Sequence, residues 1–387
     1  MHDVIVIGGG PSGLNAARNL AERGLDVLIL EMKKKIGDHI VCTGIVGSEA
    51  FSEFHLSSSP ILKEIKQIKW ISPNSNSLIY DHPQPFAHVV DRKKFDRNLL
   101  ADALSKGVSV KCDNRVIDIS VNNSHVEIIS KREEKSKEKN TARLVLIATG
   151  VNYKLHKKLG LGYPKDFLNG VQAELKLANV DCTHVFIGKE VAPGAFAWAV
   201  PINGDIVRLG LMTDKSPKEY FGRILKRFYP EGRMILDKNR IQFKAIAQGL
   251  VSPTYGERVL TIGEAAGQVK TTTGGGIYFG LLCSDIASRV VDTAFKKGCF
   301  SKRILAEYEK LWKRAIQREI LVGYYARKFC AKFNDAQLEK MFQVAQNDGV
   351  IPLIKEKGNF DWHRELVLTL MRKIPFVQLI KAKLGNK

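Results

Sequence analysis

The stretch DVIVIGGGPSGLNAARNLAERGLDVLILE, residues 3–31, constrains what this chain can fold into more than any other. An apolar run, Val4–Ile7, meets a cluster of glycines; an amphipathic segment runs to about Arg23, and a second apolar run covers Val27–Leu30. That order predicts strand, tight turn, helix, strand. Gly8, Gly10 and Gly13 satisfy G-x-G-x-x-G. The first permits the turn, the second lets a pyrophosphate approach the backbone, and the third lets the helix pack closely on the sheet. Pro11 and Ser12 open the helix, whose free N–H groups and positive dipole end suit phosphates. Glu31 ends the second strand eighteen residues after Gly13. A carboxylate there accepts both ribose hydroxyls and disfavours a 2′-phosphate, which implies NAD or FAD rather than NADP.

The distal part of the sequence separates those two. RLVLIATG, residues 143–150, reads as a buried strand closing on a small-residue turn, and RVLTIGEAAGQV, residues 258–269, as another strand ending in Gly263-Glu264. An acid at that strand end suits a ribityl hydroxyl, which FAD has and NAD lacks. The run Gly274–Gly276 then opens a helix whose N–H groups suit a flavin pyrimidine edge and the anion of reduced flavin. No second G-x-G-x-x-G follows for a pyridine nucleotide. Electrons therefore come from transiently bound NAD(P)H, a ferredoxin or a small reductase, among which the sequence does not choose.

Composition narrows the class. At 387 residues the chain is long enough for two domains, and 44% hydrophobic with 26% charged residues fits a soluble globular protein. The net charge of +20 is spread along the sequence without a zinc-finger, RNP or helix-turn-helix pattern. It favours an anionic lipid surface or a phosphorylated ligand over nucleic acid. Cys42, Cys112, Cys182, Cys283, Cys299 and Cys330 show no C-x-x-C pair or metal-ligand spacing, so no metal site is expected, and a reduced, cytoplasmic setting is. No uninterrupted apolar run approaches the roughly eighteen residues of a spanning helix, and no signal peptide is evident. Contact with the inner membrane face would be peripheral.

Taken together these pieces resemble the FAD-dependent oxidoreductases of p-hydroxybenzoate hydroxylase type, and within them most closely the geranylgeranyl reductase family. The resemblance runs from Met1 to about Val291. GDHIVCTGIVG, residues 37–47, stands where that family carries a cysteine-glycine segment, which implies that Cys42, Thr43 and Ile45 lie beside the flavin. VVDRKKFDRNLLADAL resembles its V-x-R-x-x-F-D-x-x-L block, implying Arg92 over the cofactor, and RVIDI implies the Val116 backbone near the adenine. GEAAGQV and GGGI match the flavin-end motif through Gly263, Glu264, Gly275, Gly276 and Ile277, with Gly8, Gly10, Ser12, Gly13 and Glu31 holding the rest of the dinucleotide.

PGAFAWAVP, residues 193–201, is similar to that family's Pro-x-x-Tyr-x-Trp-x-Phe-Pro pattern. The similarity implies that Pro193, Phe196, Trp198, Val200 and Pro201 wall a cavity holding an isoprenoid chain. Phe196 and Val200 replace the tyrosine and phenylalanine, Thr43 replaces a glycine, Glu264 replaces an aspartate, and VNYKLHKKLG lacks the Asp-Gly and serine that often follow Gly150. The implied activity is FAD-dependent reduction of unactivated carbon–carbon double bonds in a polyprenyl chain of a phospholipid or prenyl diphosphate, with Cys42, His39 or a water as proton source. A flavin monooxygenase or halogenase is the alternative, since FAWAVP echoes the halogenase Trp-x-Trp-x-Ile-Pro without its first tryptophan. A non-catalytic lipid-binding protein that keeps FAD for stability is another.

The expected fold is α/β (α+β): a Rossmann-like FAD-binding domain, an inserted mixed-sheet substrate domain and a C-terminal helical region. The first is made from residues 1–60, 90–150 and 251–298, the second from 61–89 and 151–250, and the third is 299–387. Within the second, GVQAELKL, THVFIGKE, AFAWAVPI and DIVRLGLMT read as strands, the last two joined by an NGD hairpin turn. KREEKSKEKN, residues 131–140, reads as a solvated hairpin tip. ELVLTLMRKIPFVQLIKAKLGNK reads as an amphipathic segment broken near Pro375, placed against lipid, over the cavity, or on the protein's own core.

Overall fold

A computed structural model of the protein describes residues 1–132, 137–230, 233–234, 241–347 and 350–373. Five parallel strands run through its first sheet, and their sequences explain why. His2–Ile7 lies between Val27–Leu30 and Lys137–Ile147, with Ser109–Lys111 beyond one neighbour and Val259–Thr261 beyond the other. Val4 to Ile7 and Val27 to Leu30 are buried on both faces, as continuous apolar runs in a helix-covered parallel sheet should be. The antiparallel strands Arg115–Val121 and Val126–Lys131 extend from Lys137–Ile147. The tip between them and that strand falls partly on residues 133–136, outside the described residues.

The helix Pro11–Ala21 starts on the proline and seats Leu14, Ala17 and Leu20 in the core. Gly13 lies so close to the strand end that a Cβ there would stand 2.1 Å from the Gly8 carbonyl oxygen. Beside it runs the helix Ile277–Lys296. Asn15 Nδ2 donates to Ser284 Oγ and Asp285 Oδ1, both at 2.7 Å, and Asn19 Nδ2 also reaches Asp285 Oδ1, so a polar network ties the first helix to one 270 residues away.

The second sheet is mostly antiparallel. Its main path joins Arg233–Met234, Asp166–Lys176, Ile206–Thr213, Ala197–Asn203, Thr183–Phe186, Gln67–Ile71 and Ser77–Asp81, and Gln242–Gln248 also pairs with Asp166–Lys176. Asn203, Gly204 and Asp205 turn the hairpin, Gly204 at φ +53°. The two-residue period of a strand decides which side chains face where. Ala197 and Ala199 join Phe221 and Ile224 of the helix Pro217–Phe228 on one face, while Trp198 and Val200 turn to the other. There a small third sheet, Ile45–Gly47, Ala87–Val90 and Ile61–Ile65, covers them.

From Lys302 to Lys373 the described residues are mostly helical. The helix Lys302–Cys330 buries Leu305, Tyr308, Trp312, Ile316 and Ile320, an apolar stripe at three- and four-residue spacing against the first sheet's core. Asp335–Asn347, Val350–Lys357 and Arg364–Lys373 follow. Among the described residues no helix is long and apolar enough to cross a membrane. The tail beyond Lys373, with Pro375, lies outside the described residues.

Trp312 is fully buried and donates from Nε1 to Thr254 Oγ1 at 2.9 Å, while Glu309 accepts from the Thr254 N–H. Trp312→Ala should lower unfolding stability by about 3–5 kcal/mol, read as a lower urea midpoint.

Candidate cofactor and substrate site

A cleft of about 460 Å³ opens at the carboxyl ends of the parallel strands, where Ile7, Leu30, Ala148 and Ile262 meet the turns that follow them. Ligands of open α/β sheets bind in that position. Gly8, Gly10, Ser12, Gly13 and Glu31 line it at the first turn. Arg92 and Val116 line its flank, and Glu264, Gly275, Gly276 and Ile277 the far end. His39, Cys42 and Ile45 also face it. Two expected residues stand back. Thr43 turns its hydroxyl to Gln172 Oε1 at 2.9 Å, and Gly263 is buried where a Cβ would lie 2.5 Å from Ser12 Oγ. Gly263 leaves room for the close approach of the Ser12 side chain.

The cleft fits a dinucleotide on its own geometry. A Cβ on Gly10 would meet nothing within 4 Å, so this glycine opens onto free space, whereas Gly8 and Gly13 are crowded by backbone. Both helices that begin here, Pro11–Ala21 and Ile277–Lys296, lack a side-chain cap, which leaves their first N–H groups and positive ends for a ligand. Glu31 is held in place by the Gly9 N–H on Oε2 at 2.7 Å and the Lys33 N–H on Oε1 at 2.8 Å. Each oxygen keeps a lone pair for a ribose hydroxyl.

At the middle of the cleft two cations and a backbone N–H surround one thiol. Burial raises the Cys42 thiol, but Arg92, Lys244 and the Gly44 N–H more than offset it and hold the thiol below its ordinary value. Arg92 is paired through Nη2 with Asp96 Oδ1 at 2.9 Å, one helical turn on. Burial raises the Asp96 carboxyl, and Arg92 only partly offsets that. Lys244 Nζ lies 2.8 Å from Glu264 Oε2, so the acid expected to meet a ribityl hydroxyl already holds a cation. The second sheet fixes the Cys42 turn. Gln172 Nε2 donates to the Cys42 carbonyl at 3.3 Å, and Arg208 Nη1 to the Thr43 carbonyl at 2.8 Å.

The residues of PGAFAWAVP take different positions. The ring centroids of Phe196 and Trp198 lie 5.8 Å apart, and Trp198 packs with Ile45, Phe86 and Phe360 around buried Val200. Trp198 Nε1 is buried without a hydrogen-bond partner. Pro193 turns away, its carbonyl accepting from Thr213 Oγ1 and the Asp214 N–H. Pro201 lines a separate hollow with Lys63 and Gln67. Of these five, none lines the cleft directly; the apolar cluster around Trp198 reaches it through Ile45 and through Phe360, whose neighbour Asp361 is on the cleft wall.

Sequence reading missed Asp96, Gln172, Arg208, Lys244, Lys270 and Asp361. Asp96 had a signal, the four-residue spacing from Arg92 that places opposite charges on one helix face. Gln172, Arg208 and Lys244 come from strands and Asp361 from a C-terminal loop, all distant in sequence, while Lys270 lies in the loop just before the glycine run.

Two outcomes follow. Glu31→Ala should weaken retention of the dinucleotide by about 1.5–3 kcal/mol, measured by equilibrium dialysis, because it removes a charged acceptor. Lys244→Met removes one of the charges that favour the thiolate, so the pH profile of Cys42 alkylation should shift to higher pH, with its midpoint in the parent below that of an ordinary thiol.

Residues 2–167 match the family model described as pyridine nucleotide-disulphide oxidoreductase. A digeranylgeranylglycerophospholipid reductase of Methanocaldococcus jannaschii is 29% identical over 358 residues, 89% of this chain and 90% of that protein. A geranylgeranyl bacteriochlorophyll reductase-like protein of Thermoplasma acidophilum superposes with a TM-score of 0.86 over 99% of both chains at 22% identity. A flavin-dependent brominase shares the fold at 0.70, over 96% of this chain and 98% of its own, with 18% identity. By sequence along nine-tenths of its length the chain is similar to digeranylgeranylglycerophospholipid reductases, it shares the fold of the geranylgeranyl reductase-like protein along nearly all of it, and it is an FAD-dependent oxidoreductase.

Proposed function

We propose that the protein saturates carbon–carbon double bonds of a geranylgeranyl-type polyprenyl chain carried on a phospholipid or prenyl diphosphate, with FAD as its cofactor. The observation that carries this reading is the junction at Ile45 and Phe360, where an apolar cluster containing Trp198 joins a cleft built for a dinucleotide. Gly10, the two uncapped helix ends and Glu31 would hold FAD, with Arg92 and Glu264 along it. Bound FAD supplies hydride when reduced, and a donor of two electrons reloads it.

The rest falls to the chain. Ile45, Phe86, Trp198 and Phe360, packed on buried Val200, offer an apolar surface that excludes water and holds an alkyl chain without polar contacts. Saturating a double bond needs one hydride and one proton. On this reading Cys42 gives the proton, which is supported by the way Arg92 and Lys244 favour the thiolate left behind. His39 faces the same cleft and stands second in that role. On this reading residues 1–60, 90–150 and 251–298 form the FAD domain, 61–89 and 151–250 the substrate domain, and 299–387 the helical region. The net charge of +20 supports peripheral docking on anionic lipid.

The test is anaerobic incubation of dithionite-reduced protein with geranylgeranyl phospholipid, geranylgeranyl diphosphate and a prenyl quinone, followed by mass spectrometry. Products heavier by pairs of hydrogens are expected; product that forms only with oxygen would indicate a monooxygenase or halogenase instead. Trp198→Ala should spare FAD binding and impair turnover of long prenyl substrates, and loss of FAD would put Trp198 in the cofactor site.

A further inference from the structure

One charged pair has no part in that scheme. Lys270 and Asp361 line the glycine-run end of the cleft, both more than nine-tenths buried, with Nζ 2.6 Å from Oδ1. Desolvation makes such a pair a poor source of stability when hydrophobic residues could fill the space. The two residues are 91 positions apart and are held from every side. Lys270 Nζ also donates to the Phe360 carbonyl at 3.0 Å and sits 4.4 Å over the Phe360 ring. Its backbone N–H donates to the Gly275 carbonyl and its own carbonyl accepts from the Gly274 N–H, which fixes it to the glycine run. Asp361 presses on Gly47, where a Cβ would lie 2.1 Å from Oδ2.

The Lys244–Glu264 pair lines the same end of the cleft, and the groups nearest Lys270 and Asp361 are engaged elsewhere. The His363 ring meets Thr272 Oγ1 and the Phe360 carbonyl. Burial, and then the charge of Lys270, push that ring down to about 4, so it is neutral at pH 7. Glu319 is occupied by the His363 and Arg364 N–H groups, on the far side of the segment. The uncapped helix end at Ile277 adds a positive partial charge facing the same way.

We propose that Lys270 and Asp361 are opposed electrostatic positioning residues for the flavin: Lys270 favours the negative charge that FAD takes up on reduction, while Asp361 offsets part of that cation and fastens the C-terminal segment to the cofactor site. This rests on the FAD reading above. In a low-dielectric cleft two such charges act on a third over several ångströms. Their effects on a bound flavin must then be opposite in sign. A brace with no electrostatic role behaves differently, because breaking either half removes the same contact and has the same consequence.

The experiment is a spectroelectrochemical titration of the FAD-loaded full chain and of Lys270→Met, Asp361→Asn and the double variant. Asp361→Asn should raise the flavin midpoint potential, Lys270→Met should lower it, and the double variant should fall between them. Shifts of like sign, or none, overturn the proposal. Lys270→Met leaves Asp361 buried without its cation, so if that variant does not fold Asp361→Asn decides alone: a raised potential supports the proposal, and a lowered or unchanged one overturns it. A parent chain that takes up no FAD would overturn both this inference and the function it rests on, whereas FAD uptake with like-signed shifts overturns this inference only.

Discussion

The contact on which the site depends is the approach of Gly13 to the Gly8 carbonyl, a position with no room for a side chain. It lays the first helix directly over the end of the first strand, so the helix amino-terminus points into the crevice. Asn15 and Asn19, on that helix, grip Asp285 of the helix Ile277–Lys296. A second uncapped amino-terminus is thereby fixed at the other end of the same cleft. Two positive helix ends about one elongated crevice, with Glu31 locked by backbone N–H groups between strands, make an arrangement suited to a ligand with anionic and hydroxylated parts.

The apolar side is set by simple strand alternation. Ala197 and Ala199 are small because a helix lies on them, which leaves Phe196, Trp198 and Val200 for the opposite face. That face meets the third sheet and the C-terminal Phe360, so three parts of the chain far apart in sequence build one apolar surface beside Cys42. The Cys42 turn is held by Gln172 and Arg208 of the large sheet as well as by the Gly44 N–H on its own sulfur. Chemistry at the thiol and the shape of the apolar wall are therefore mechanically joined.

Much of this was legible in the sequence, and for identifiable reasons. The G-x-G-x-x-G turn, Glu31 and the glycine run are local patterns whose spacing encodes their geometry, and all but Gly263 and Thr43 of the cofactor residues expected from such patterns face the cleft. Four strands of the second sheet, Asp166–Lys176, Thr183–Phe186, Ala197–Asn203 and Ile206–Thr213, were readable from alternating or clustered apolar residues; the other four were not. What the sequence hid was pairing between distant charges. Lys244 sits on an ordinary alternating strand and Asp361 in a loop after three helices, and nothing near either residue signals Glu264 or Lys270 as its partner. Pro193 and Pro201 show the converse limit: a motif marks the strand, but burial on the folded sheet decides which of its residues reach the site.

The central claim is that an isoprenoid chain meets a flavin across the Ile45–Phe360 junction. Stopped-flow absorbance of the anaerobically reduced flavoprotein mixed with a geranylgeranyl lipid tests it most directly. The account predicts return of the oxidised flavin spectrum without oxygen, at a rate that rises with lipid concentration and saturates. A reduced spectrum that persists with every prenyl compound, and recovers only when oxygen is admitted, would contradict it.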